Sequence, residues 1–134
     1  MKVNELMQGD LVLYEYNGEK IHARVVEIYR SSALVESVSK EYEPIEIAED
    51  KLFPVDITPE ILEKNGFTKD EEIDQWYFKS DYRLDLGLLA VGIDDGCGTG
   101  FCVMRNGAIT YYCKYVHELQ HYLRLIGGAK KIEL

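Results

Sequence analysis

Asn17-Gly18 is the pair that most tightly restricts what this chain can fold into. Asparagine followed by glycine takes the left-handed backbone conformations that a two-residue hairpin loop demands, and the pair stands between two apolar-rich runs, residues 11–14 and 21–28. Alternation in the second run puts His22 on the polar phase with Arg24, at solvent or at a sheet rim. Ser31-Ser32 turns the chain into residues 33–38, Pro44 separates these from Ile45-Glu46-Ile47, and residues 53–57 add a short strand of edge type around Pro54. Short strands at this density, joined by tight turns, predict a small, strongly bent SH3-like β barrel over residues 1–57, an architecture generally used for binding or spacing.

Residues 58–134 read differently. Thr58 caps a short helix, Pro59 occupies its first position, Glu60 complements the dipole, and Gly66 ends it in the left-handed region with Phe67 folding back. Residues 76–79 and 82–91 read as strands, the second weakened by Gly87 and Gly92. Residues 94–100, DDGCGTG, form a glycine-rich loop that cannot cradle phosphate, because two aspartates repel it and no G-K-[ST] follows. Strands over 101–105 and 108–113 pair about Asn106-Gly107, and the chain then enters an amphipathic helix ended by Gly127-Gly128, leaving Ile132 and Leu134 to pack a last strand. The expected fold class is therefore α+β: an SH3-like barrel, then an antiparallel sheet covered by one C-terminal helix and packed as one unit with the barrel.

That last helix carries the one recognisable chemical motif, His117-Glu118-Leu119-Gln120-His121, an H-E-x-x-H. On a helix the pattern sets two imidazoles one turn apart beside a carboxylate, as in zinc hydrolases where the histidines hold the metal and the glutamate is the base. At 100° per residue, Val116, Leu119, Tyr122, Leu123 and Ile126 fall in an arc of about 120°, which predicts the buried face. His117, His121, Gln120 and Arg124 lie opposite, at solvent, another element or a partner. A catalytic zinc needs a third protein ligand and an open position. Downstream, Arg124 and Gly127 stand where the longer H-E-x-x-H-x-x-G-x-x-H pattern needs glycine and histidine, and Glu133 is the one remaining acid. A helix extended back to Cys113 would set it about 12 Å from His121. His22 or a distant acid would have to fold back. The competing reading is a core helix whose polar face carries two histidines, and it is preferred: no metal, no cofactor and no catalytic residue, with zinc, His117, His121 and Glu118 as the alternative.

Composition narrows the rest. With 134 residues, 46% of them hydrophobic, the chain can bury a core; it has no apolar run of spanning length and no apolar signal segment, so a soluble, cytoplasmic protein is expected. Cys97, Cys102 and Cys113 are odd in number without a C-x-x-C, against a disulfide framework or zinc knuckle. Residues 1–100 carry 10 basic and 22 acidic side chains, a charge of −12, whereas residues 101–134 carry 5 and 2, a charge of +3. A net charge of −9 disfavours nucleic acid and leaves a protein partner or self-association. The acidic clusters around residues 41–50 and 70–74 lack EF-hand spacing and read as solvated loops. Trp76, Tyr77 and Tyr112, with His117, Gln120, His121 and Arg124, form the candidate interaction surface.

Three phrases, ELMQGDLVLY, ITPEILEKNGF and KYVHELQHYLRLIGG, resemble a group of short uncharacterised proteins of gut bacteria and of the phages or integrated elements they carry. The terminal phrase is similar to a Y-V-H-x-L-Q pattern, matched here by Tyr115, Val116, His117, Leu119 and Gln120. Glu118 and His121 then fall at variable positions. The resemblance implies an accessory protein without an assigned activity.

Overall fold

The computed structural model describes residues 1–66, 68–70, 78–84, 89–94, 101–105, 108–125 and 131–134. The chain divides into two compact units, Met1–Val55 with Leu134, and Asp56–Glu133. Both carry antiparallel sheet, and among the described residues two α-helices lie in the second, so the fold is α+β.

The first unit is a curled sheet of five strands: β1 (Leu11–Tyr16), β2 (Glu19–Ile28), β3 (Ser32–Ser37), β4 (Ile45–Ala48) and β5 (Leu52–Pro54), in the spatial order β4-β3-β2-β1-β5. Asn17 and Gly18 have φ of 52° and 78°, the left-handed pair that lets Tyr16 face Glu19 across a two-residue loop. The period of two is kept where a face is buried: Ala33, Val35 and Ser37 on β3, Ala23 and Val25 on β2, and Val12 and Tyr14 on β1 point inward, joined by Ile47, Leu52, Val3 and Leu6 in one cluster. Between Val25 and Glu27 the β2–β3 register slips by one residue, a bulge that adds twist to the curling sheet. His22 is exposed on β2, in keeping with its polar phase.

Turn chemistry explains several polar residues of this unit. Gly9 has φ of 91°, and the fully buried Asp10 beside it accepts the Met7 amide on Oδ2 at 2.8 Å while its backbone pairs with Met7 and Val25. The short 3₁₀ turn over Val3–Glu5 is tied to the turn over Glu49–Lys51: the Met1 ammonium donates to the Glu49 and Leu52 carbonyls, and the Glu49 carboxylate accepts from the Val3 amide and Lys2.

The second unit opens with a single bridge between Asp56 and Tyr115 and the helix α1 (Pro59–Lys64). Thr58 Oγ1 accepts the Ile61 amide at 3.2 Å, Pro59 takes the first position, and Gly66 follows with φ of 88°, as the capping signals require. Its sheet is a meander of β6 (Thr68–Asp70), β7 (Phe78–Leu84), β8 (Leu89–Asp94), β9 (Phe101–Arg105) and β10 (Ala108–Cys113), in sequence order. α2 (Val116–Leu125) follows β10 directly.

Three expectations change here. Residues 82–91 are not one strand: β7 and β8 run antiparallel with Leu84 opposite Leu89, and Asp85 and Gly87, both poor strand residues, fall in the interval. β6 was not anticipated, being three residues with a lysine and an aspartate and no apolar alternation. The chain end forms no strand, although Ile132 is buried; the Glu133 amide and carbonyl are instead held by the Asn65 side-chain amide, both at 2.7 Å. The glycine-rich loop after Asp94, Asn106-Gly107, Gly127-Gly128 and Phe67 lie outside the described residues.

Candidate functional site

α2 starts at Val116, so Tyr115 caps it and Glu118 stands at the third helical position. An acid there can turn back and accept the amides that open the helix. Glu118 does so: one carboxylate oxygen accepts from the Tyr115 amide at 2.9 Å and from the Lys114 amide at 3.0 Å. Its charge lies at the positive end of the helix dipole, where an anion is favoured. A general base for a metal-bound water must aim a carboxylate lone pair at the water, and here Oε1 is turned to the helix start.

His117 is only 4% exposed. Its ring stacks on Tyr115, with centroids 5.8 Å apart and planes within 10°, and meets the His121 ring at 74° with centroids 5.7 Å apart. Lys114 adds its ammonium over the other aromatic member, 5.4 Å from the Tyr115 centroid. The four side chains form a continuous ladder of cation, phenol and two imidazoles along the start of the helix.

The buried arc of α2 is wider than the apolar pattern predicts. Val116, Leu119, Tyr122 and Leu123 are buried as expected, but so are His117 and Gln120, the latter 6% exposed, which spreads the buried positions of the first two turns beyond the apolar arc. Of the surface read from the sequence, His117 and Gln120 are thus enclosed, His121 is half-buried and Arg124 is exposed. Trp76 and Tyr77 lie outside the described residues, and Tyr112 is placed by its backbone, opposite Cys102 in the β9–β10 pairing. Leu125 is 82% exposed.

A zinc ion would require a third donor beside His117 and His121. Cys113 is buried at the end of β10 and Glu133 is exposed. Among the described residues no three His, Cys, Asp or Glu side chains are grouped to share a metal. The capping role of Glu118 escaped the sequence reading because the metal motif claims the same letter; a glutamate three residues after the last non-helical residue was the available signal. Asn65 was missed too, and no local pattern marks a side-chain amide that pairs with a backbone 68 residues away.

Comparison of the chain with known protein families, curated proteins and solved structures finds no match. Among the described residues no helix is long and apolar enough to cross a membrane.

Proposed function

We propose that the chain is a non-enzymatic interaction or accessory module, its first unit a strongly bent, SH3-like barrel, acting in the cytoplasm of a bacterium on behalf of a phage or integrated element and touching protein rather than nucleic acid. The observation that carries this reading is the engagement of Glu118: its carboxylate oxygen is taken by two backbone amides at the helix start, so the H-E-x-x-H letters are accounted for by capping and ring stacking. The resemblance of the terminal Y-V-H-x-L-Q phrase supports it by setting Glu118 and His121 at variable positions.

Metal analysis of protein purified without a histidine tag tests it. The expected result is no stoichiometric zinc in the parent chain and none in His121→Ala. One zinc per chain, lost in His121→Ala with the circular dichroism spectrum retained, overturns the module reading in favour of a zinc hydrolase with His117 and His121 as ligands and Glu118 as base.

A further inference from the structure

The first unit carries an open notch of about 230 Å³ lined by Tyr14, Tyr16, Tyr42, Glu43, Pro44 and Ile45. β1 supplies the first two tyrosines from one face, two residues apart, the segment between β3 and β4 supplies Tyr42, Glu43 and Pro44, and Ile45 opens β4. Tyr14 is 1% exposed and forms the floor; Tyr16 and Tyr42 are 41% and 39% exposed and form the walls, their rings 5.7 Å apart and tilted at 59°. The Tyr42 wall is held from beneath: buried Ser37 accepts the Tyr42 amide on Oγ at 3.3 Å and donates to the Tyr42 carbonyl at 3.5 Å. The two rings touch each other at that separation and together present one angled aromatic surface on which a cation can lie. Burial first, then the neighbouring Tyr42 and Tyr16 phenols, push the Tyr14 hydroxyl above its ordinary pKa, so it keeps its proton at neutral pH and the formal charge of the lining is that of Glu43 alone.

Size and charge select among occupants. The volume admits one long side chain and excludes a helix, whose diameter is about 10–12 Å. Glu43 is exposed and makes no ion pair among the described residues, and residues 1–55 contain six basic against eleven acidic side chains, so the field at the notch repels anions and draws cations. Of the two cationic side chains, arginine is planar, weakly hydrated and able to meet a carboxylate with two parallel hydrogen bonds while stacking on a ring. We propose that this notch receives one arginine side chain from an extended segment of a protein partner, the guanidinium lying against Tyr16 and Tyr42 and facing Glu43. The assignment rests on the module reading and gives it a surface and a partner chemistry.

The test is a nuclear magnetic resonance titration of the full chain with the peptide acetyl-Gly-Pro-Arg-Pro-Gly-amide and with its Leu counterpart in place of Arg, both at millimolar concentration. The Arg peptide is expected to shift the amides of Tyr16, Tyr42 and Ile45, the Leu peptide to leave them in place. Tyr42→Ala should weaken the Arg peptide about tenfold, and Glu43→Gln should remove most of its salt dependence. Tyr42 and Glu43 are both exposed, so these variants keep their spectra outside the notch. Equal shifts with the Leu peptide, shifts centred elsewhere, or no shift overturn the assignment. A partner captured by the parent chain and held equally well by Tyr42→Ala also overturns it while the module reading stands. Stoichiometric zinc held by His117 and His121, beside a selective Arg titration, removes the module reading and leaves the notch.

Discussion

Glu118 belongs to two patterns at once: it is the acid of an H-E-x-x-H and the third residue of a helix that begins at Val116. Only hydrogen-bond geometry separates the two, and the two readings differ in what removal of the carboxylate does. As a cap it stabilises the fold, so Glu118→Ala should cost about 1 kcal/mol in urea denaturation at constant m, and Glu118→Gln, which keeps an acceptor, should recover most of that. As a catalytic base it would leave stability untouched. Asn65 works by the same bonding at longer range: its Nδ2 donates to the Ile61 carbonyl at 2.8 Å and to Glu133, and its Oδ1 accepts from Glu133. Since the residue is 4% exposed, Asn65→Ala leaves the Glu133 amide and carbonyl without that partner, while the Ile61 carbonyl keeps the backbone amide of residue 65, and should cost about 2 kcal/mol. Asn65→Asp keeps the acceptor and loses both donors, and chemical denaturation should show that it does not rescue.

Elements were legible where a short-range rule acts without competition. Asn17-Gly18 and Thr58-Pro59 through Gly66 fix backbone angles within a few residues, and the structure places a tight hairpin and a capped helix there. What escaped were features set by partners distant in sequence: the pairing of β6 with β7, the enclosure of His117 and Gln120, and the hold of Asn65 on the chain end. Helical periodicity reports which residues are apolar, and a polar residue enclosed by neighbouring elements leaves no trace in it. The hairpin gives a prediction on its own scale. A Cβ at Gly18 would meet nothing within 4 Å, so the cost of Gly18→Ala comes from φ of 78° alone. The expected loss is about 1 kcal/mol, read as a lowered urea midpoint with the folded spectrum unchanged, whereas a larger loss would mean that the residue packs.

On the scale of the whole molecule, the acidic excess of residues 1–100 is a property that charge counting reveals and that says little about fold. One of those acids has a structural task. Glu49 takes the Val3 amide and the Lys2 ammonium, both at 3.3 Å, close to where the Met1 ammonium meets the Glu49 and Leu52 carbonyls, so it fastens the beginning of the first unit to its last strand. The Val3 amide has the largest effect, burial opposes it as the next largest, and Lys2 and the amino terminus add to the lowering, so the Glu49 carboxyl is held below its ordinary value of 4.5. A carboxyl with a lower pKa in the folded than in the unfolded chain contributes stability that is fully present above the unfolded value and is lost as pH falls through the folded one. Glu49→Gln should therefore be less stable than the parent at pH 7, and the gap should close as the pH is taken well below 4.5. Urea midpoints of the two proteins at neutral and acid pH measure this directly. A gap that persists unchanged in acid would mean that the fastening depends on the shape of the side chain, with its charge playing no part.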